Sequence, residues 1–354
     1  MSFQLPLDSA VYMTDLGVQL CADSQTYLQA LPEDSVDLIM TSPPFALLRQ
    51  KSYGNEAQDE YVQWLVEFGR EARRVLKETG SFVLDLGGAY QRGKPVRSLY
   101  NYRVLIQFCD VLGYRLAEEF FWYNPAKLPS PIEWVNKRKI RAKDAVNTVW
   151  WFSKSDYPKA DVRNVLVPYS DRMKTLLKNP RRFYTPKERP SGHDISAQFG
   201  NDNGGAIPSN LLQIPNTDSN SQYLRLCKSL GKDPHPARFP PDLPKFFILL
   251  LTDPNDLVVD IFSGSNVTGY VAEGLHRCWL SIEKDREYAS LSAVRFLEGC
   301  SDEQVQAVLG RMRDGEVANP SRIASHRTPQ FAFERAAAYR SKIGGSVVNL
   351  RSKP

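Results

Sequence analysis

No stretch of this 354-residue chain is apolar enough to cross a bilayer. The longest unbroken apolar run is Phe246 to Leu251, against the roughly 20 residues that a span requires. The N-terminus, MSFQLPLDSA, lacks a basic segment followed by a long apolar one, so no secretory signal is visible. The cysteines are few, odd in number and scattered: Cys21, Cys109, Cys227, Cys278 and Cys300, with no CxxC pair. This excludes a zinc site of the usual spacing and points to reduced thiols in a cytoplasmic protein. Apolar residues are not scarce. At 42% apolar and 24% charged, the chain has enough surface to bury against the cost of chain entropy, so disorder of the whole is excluded. At about 150 residues per domain, the length suggests two domains.

Net charge is modest, +5, but unevenly placed. Residues 122–190 carry sixteen Lys/Arg against six Asp/Glu, and residues 318–354 carry seven against one. A basic middle segment on a near-neutral body suits a polyanionic partner contacted by one region; it is equally compatible with a solvated lysine-rich face.

The first 120 residues alternate strands and helices. Residues 35–40 are a short apolar run ending before Pro43-Pro44, which predicts a strand with a loop at its carboxyl end. Residues 60–76 have helical periodicity, with Tyr61, Trp64, Leu65, Phe68, Ala72 and Leu76 on one face, and Thr79-Gly80 is expected to end that helix. A strand is predicted over 81–86 and a helix over 101–112. This order implies a largely parallel sheet with helices on both faces. From about residue 122, Pro, Lys, Arg, Asn and Tyr become frequent and periodicity fades, apart from a strand-like run at 145–153. Order returns near 235, with a helix at 244–251, strands at 256–262 and 279–283, and helices at 267–275 and 287–297. The expected division is 1–121 and 235–300 as two parts of one domain, 122–234 as a strand extension and recognition region, and 301–354 as a helix and mobile basic tail.

Two segments carry chemistry. Asp260-Ile-Phe-Ser-Gly-Ser-Asn-Val-Thr-Gly269 places a glycine turn between a strand and a helix, and Glu283 follows at the end of the next strand. Glycine lets the backbone approach a ligand closely, and an acid at that second tip can accept from both ribose hydroxyls. Thr41-Ser-Pro-Pro-Phe45 lies at a strand's carboxyl end. Its prolines have no amide donors, so backbone carbonyls are left to point into a site between a hydroxyl and an aromatic face.

Together these resemble the amino-methylating DNA methyltransferases that use S-adenosylmethionine, in the beta group whose catalytic motif precedes the cofactor motif. Ser42-Pro43-Pro44-Phe45 matches the family's (Ser/Asp/Asn)-Pro-Pro-(Tyr/Phe/Trp) loop, in the Ser version associated with N4-cytosine methylation. Phe262-Ser-Gly264-Ser265-Asn266 matches the Phe-x-Gly-x-Gly cofactor turn and departs from it at the second glycine. The resemblance covers roughly residues 14–300 and includes the segments LPSPIEWVNKRKIRAKDAVNTVWWFSK, PSGHDI and HPARFP. It implies a Rossmann-like, mostly parallel twisted sheet with permuted motif order and an inserted, irregular DNA-recognition region.

The resemblance further implies cofactor contacts by Asp23, Phe262, Gly264, Ser265, Asn266 and Glu283, with His235, Arg238, Phe239 and Pro240 at the methionine end. It implies a catalytic or orienting role for Asp85, which is otherwise a structural acid at a strand end. Lys137, Arg138, Lys139, Arg141 and Lys143 form a dense basic run suited to phosphates. His193 and Asn203, in polar loops, are candidates for base edges or for structural capping. Double-stranded DNA is the expected partner, acted on by a cytoplasmic monomer without metal. The palindrome CAGCTG with its inner cytosine modified is the implied target, and a cognate restriction endonuclease the implied functional partner. Cytosine-C5 chemistry is excluded, because it needs a thiolate, usually after proline, and no cysteine here follows one. N6-adenine methylation and a catalytically inactive DNA-binding relative remain alternatives. Glutamine methylation in proteins, which uses Asn in place of Ser42, fits less well.

Overall fold

The computed structural model describes residues 9–45, 58–180, 200–217 and 221–323. Two compact units are present. Of the described residues, those up to 160 and from 210 onward form one, and those between 161 and 209 the other.

The first unit is built on a nine-stranded sheet: β1 (Ala10–Met13), β2 (Gly17–Cys21), β3 (Val36–Thr41), β4 (Leu76–Leu86), β5 (Arg115–Tyr123), β6 (Val146–Ser153), β7 (Leu211–Gln213), β8 (Leu257–Asp260) and β9 (Cys278–Glu283). Their spatial order is β1-β2-β9-β8-β3-β4-β6-β5-β7. Pairing is parallel from β2 through β9, β8 and β3 to β4, and again between β5 and β7; β1–β2, β4–β6 and β6–β5 are antiparallel. The two separated halves of the chain therefore share one mostly parallel sheet, as expected.

Its central strands are covered on both faces, which is why they read as continuous apolar runs rather than alternating ones. All six residues of β3 are buried. The helices of this unit are α1 (Ser24–Ala30), α2 (Gln58–Val75), α3 (Tyr100–Asp110), α5 (Gln222–Ser229), α6 (Asp242–Leu251), α7 (Val267–Gly274), α8 (Arg286–Ser292) and α9 (Asp302–Arg313), while α4 (Asp171–Lys178) belongs to the second. The apolar face predicted for α2 is the buried one: Tyr61, Leu65 and Ala72 are inaccessible, and Phe68 nearly so.

Four features differ from the sequence expectation. The helix α2 does not run to Gly80: it ends at Val75, and β4 starts at Leu76 with no loop. Leu76 already pairs with Val36, and the register then shifts before Leu38–Ser81. Gly80 sits in that irregularity, where a Cβ would meet the carbonyls of Lys77 at 2.9 Å and Val36 at 3.0 Å. It is a bulge glycine, not a helix stop. Second, the hairpin β1–β2 and the helix α1 give no strong pattern in the sequence, each being only four to seven residues long. Third, the segment after residue 122 is less irregular than expected, since β5 runs to Tyr123 and β7 adds a strand beside it. The expected helix over 287–297 is α8 followed by a 3-10 turn, Ala293–Phe296.

The second unit contains α4 (Asp171–Lys178), capped by the Ser170 hydroxyl, a 3-10 turn at Val162–Val165, and a bridge between Val167 and Ala206. No helix among the described residues is long and apolar enough to cross a membrane.

The chain leaves β8 through α7 toward β9 on one side, and leaves β3 through α2 toward β4 on the other. Adjacent strands whose connections diverge leave a crevice at their carboxyl ends, the usual ligand position in an open parallel sheet.

Candidate active site

Ser42 follows β3 and Gly264 follows β8, and these two strands are neighbours. Their tips are tied by a buried carboxylate. Asp260 accepts from Thr41 Oγ1 at 2.7 Å, from Thr268 Oγ1 at 2.6 Å and from the Phe262 amide at 3.1 Å. Burial pushes this carboxyl up, and the three donors oppose the shift. Asp260 thus joins the end of β3, the end of β8 and the first turn of α7, so the Ser-Pro-Pro-Phe loop and the glycine turn are held side by side.

Between them opens a cavity of about 610 Å³, within the range of small-molecule sites. It brings together Ser42, Pro43, Pro44, Phe45 and Asp85 with Asp23, Phe262, Gly264, Ser265 and Glu283, and with His235, Arg238 and Phe239. Two expected cofactor residues do not line it. Pro240 is buried behind the wall. Asn266 is inaccessible, with its side chain turned into the core: it accepts from the Gly269 amide and from Ser281 Oγ, and donates to Tyr12 Oη at 2.8 Å.

Asn266 also explains the departure from the second glycine. Its φ is +52°, a left-handed conformation that Asn tolerates better than most residues, and it caps α7. Gly264 has φ +50°, and a Cβ there would come within 2.9 Å of the His235 ring. At this position both the conformation and the close approach require glycine.

On the catalytic side, Ser42 Oγ donates to Asp85 Oδ2 at 3.0 Å, and Asn147 Nδ2 donates to Asp85 Oδ1 at 3.1 Å. Burial pushes the Asp85 carboxyl up to about 6, against the lowering effect of the two hydrogen bonds and of the Lys127 ammonium. The Phe45 ring lies on Gly87, where any Cβ would be 2.4 Å from it. Gly87 therefore sets the position of the aromatic face.

On the other side, Glu283 accepts from the Gly264 amide on Oε2 at 2.8 Å and from the Asp285 amide on Oε1 at 3.0 Å. Each oxygen has a lone pair left for a further donor. Burial raises this carboxyl as well. Asp23 caps α1 through the amides of Gln25 and Thr26. Arg238 donates to the His235 carbonyl, while its buried Nε has no hydrogen-bond partner among the described residues. A cationic donor is thereby left in the cavity wall. Arg295 holds the turn from behind, through Ser265 O at 2.5 Å and Ser265 Oγ at 3.0 Å.

Sequence reasoning missed further polar and aromatic lining of the cavity: Trp122, Asn124, Lys127, Asn147 and Asn216, together with Trp64 from α2. The first three follow from β5, a strand whose outer half is exposed and shows no buried run. The Asn147 side chain could have been found from its place as the third residue of the predicted strand at 145–153.

The basic run behaves as two groups. Lys137 and Arg138 are exposed and pair with Glu133, and Arg138 also lies over the Trp134 ring at 5.0 Å. Lys139 is exposed with φ +56°. Arg141 instead donates twice to the Pro95 carbonyl, and Lys143 donates to the carbonyls of Pro125 and Lys127 at 3.0 and 3.1 Å. These last two fasten loops. The amide of Asn203, in the second unit, donates to Tyr169 Oη at 2.8 Å. His193 lies outside the described residues. Among the described residues no group of His, Cys, Asp and Glu is arranged to hold a metal ion.

Comparison with known proteins agrees with this geometry. The DNA methylase family model, for N6 and N4 methylation, matches residues 36–294. The type II methyltransferase M.PvuII of Proteus hauseri is 58% identical over 306 residues, covering 86% of this chain and 91% of the relative. M.BglII of Bacillus subtilis is 26% identical over 281 residues, covering 79% and 69%. The solved structure of the PvuII DNA methyltransferase, described as cytosine-N4-specific, superposes with a TM-score of 0.73 at 48% identity, covering 90% of this chain and 99% of that one.

Proposed function

The chain belongs to the N6/N4 DNA methylase family, and on that premise we propose that it methylates the exocyclic N4 amine of cytosine in duplex DNA, using S-adenosylmethionine. The observation that carries this reading is the juxtaposition of the Ser42–Asp85 hydrogen bond with the Gly264–Glu283 turn in one cavity.

The residues present fit the cofactor. Glu283 keeps lone pairs for ribose hydroxyls, the bare Gly264 allows close approach of an adenosine, and the orphaned Arg238 Nε suits a carboxylate. Bound S-adenosylmethionine supplies a sulfonium-activated methyl group. The protein's task is then to make a poor nucleophile available. The N4 lone pair of cytosine is delocalised into the ring. Accepting hydrogen bonds from its two N–H groups at Ser42 Oγ and the Pro43 carbonyl draws the nitrogen toward sp³ and localises that pair toward the cofactor side. Ser42 can accept because its own proton is given to Asp85. The proton lost from N4 passes to this pair. Positioning and fixed dipoles account for the acceleration, and no covalent enzyme intermediate is needed. The base must leave the helix to reach the loop, and Phe45 supplies its stacking face.

Asp85 must be ionised to serve. Methyl transfer is expected to fall as pH drops through about 6, the value to which burial raises this carboxyl. Asp85→Asn should remove that acidic limb and most of the turnover. The same replacement should stabilise the fold at neutral pH. An ionised Asp85 costs the folded state nothing below its unfolded pKa of about 3.9, and on the order of 3 kcal/mol above its folded value of about 6. The variant's advantage should therefore be present at pH 8 and vanish toward pH 4 in denaturant titrations. No stability gain at pH 8 would mean that the hydrogen bonds from Ser42 and Asn147 offset the burial and the folded carboxyl is not raised.

We assign target selection to the basic and loop-rich region within 122–234, and the target to CAGCTG with the inner cytosine modified. The 58% identity to M.PvuII supports this. We further propose a cytoplasmic monomer that protects DNA from a cognate restriction endonuclease, a reading the likeness to a type II methyltransferase supports. Arg138→Ala should weaken DNA binding and lower the slope of log affinity against log salt by about one, with turnover at saturating DNA kept. An unchanged slope would remove Arg138 from the phosphate contacts. Mass spectrometry of a nucleoside digest decides the base: N4-methylcytosine supports the assignment, and N6-methyladenine replaces it with the adenine reading.

A further inference from the structure

The cavity wall on the Asp85 side holds one ammonium to which the mechanism above gives no contact with the substrate. Lys127 follows β5 and lines the cavity with Asn124, Asn147 and Trp122. Its main chain is fixed at several points. The Lys127 amide donates to the Asn124 carbonyl at 3.2 Å, Lys143 Nζ clamps the Pro125 and Lys127 carbonyls, and Asn124 Oδ1 accepts from the amides of Ala126 and Asn216 at 3.1 Å. The side chain is only partly exposed. Among the described residues its ammonium has neither a hydrogen-bond nor an ion-pair partner, whereas Asp85 nearby is satisfied by Ser42 and Asn147. A half-exposed ammonium on a fixed main chain, with donors left over, is positioned to meet an acceptor on whatever fills the cavity.

Cytosine and adenine present the same exocyclic amine, and next to it a ring nitrogen that accepts. They differ one atom further along that edge, where cytosine has the O2 acceptor and adenine a C2–H. With the amine anchored at Ser42 and Pro43, a cationic donor in the same cavity, beside Asp85, rewards the pyrimidine and gains nothing from the purine. We propose that Lys127 is a specificity-determining residue, donating from its ammonium to O2 of the extrahelical cytosine. The electrostatic influence of the same ammonium on Asp85 places it on the target-base side of the cavity. The inference rests on the cytosine-N4 reading above.

The test uses the full-length protein, saturating S-adenosylmethionine and two duplexes in single-turnover methyl transfer. One duplex carries the target cytosine. The other carries in its place the C-nucleoside of 2-aminopyridine, which keeps the amine and the ring nitrogen but lacks O2. The parental protein should favour cytosine by roughly ten- to a hundredfold, the worth of a hydrogen bond from a charged donor. Lys127→Met should abolish that preference by slowing transfer to cytosine alone, and Lys127→Arg should restore part of it. If Lys127→Met slows both duplexes equally, the ammonium acts on a phosphate or on Asp85, and the proposal is overturned. It is likewise overturned if the variant keeps the parental preference. Absence of methyl transfer to cytosine by the parental protein would instead remove the cytosine-N4 reading itself.

Discussion

Single-turnover methyl transfer at saturating DNA should fall by roughly ten- to a thousand-fold in Ser42→Ala, the range for loss of one positioned polar group. The hydroxyl donates to Asp85 at 3.0 Å and in the proposed mechanism links that carboxylate to the target amine. Without it Asp85 keeps only Asn147 as a side-chain donor, and N4 loses one of its two acceptors. Phe45→Ala acts on the same step by another route. It removes the stacking face that Gly87 leaves room for, worth about 1–3 kcal/mol per base. That loss falls on the extrahelical state. Turnover should therefore drop more than duplex affinity, which is dominated by phosphate contacts. Quench-flow transfer assays read the first quantity, and fluorescence anisotropy of labelled duplex the second. Parental rates in both variants would mean that the Ser-Pro-Pro-Phe loop is not the active site.

Glu283→Ala should weaken S-adenosylmethionine binding by about 1.5–3 kcal/mol, or roughly ten- to 150-fold in Kd, with DNA affinity in the absence of cofactor unchanged. Two losses combine. The carboxylate no longer receives the ribose hydroxyls, and the Gly264 and Asp285 amides lose the partner that orders the turn. Glu283→Gln separates them: its single amide oxygen can hold one amide but not both, so it should fall between the parent and the alanine variant. Calorimetry of cofactor binding checks the order. Equal affinity in all three proteins would exclude Glu283 from the ribose.

Much of this site could be read along the chain, because its chemistry is written in short contiguous segments. Ser42-Pro43-Pro44-Phe45 and the turn from Phe262 to Gly264 each need only a strand before them, and buried parallel strands declare themselves as apolar runs. The order of the two motifs, the ribose acid at the end of the following strand and the amphipathic face of α2 are legible for the same reason. The class of reaction and the type of cofactor therefore follow from the sequence and its resemblance to a family.

What it left undecided depends on partners distant in the chain. Thr41 meets Asp260 across 219 positions and Ser42 meets Asp85 across 43. Neither pairing is implied by local pattern, because it requires knowing that β8 and β4 both flank β3. Lys143 and Arg141 look like phosphate contacts in a basic run, yet their donors end on backbone carbonyls that only the folded loop brings within reach. Asn266 resembles a defective glycine until its left-handed backbone and its bonds to Tyr12 and Ser281 are seen. The sequence by itself determined the chemical groups and the strand tips that carry them. The tertiary structure alone decided which tips are neighbours and which charged donors remain unspent, because sheet order and hydrogen-bond satisfaction are properties of the whole fold, not of any local segment.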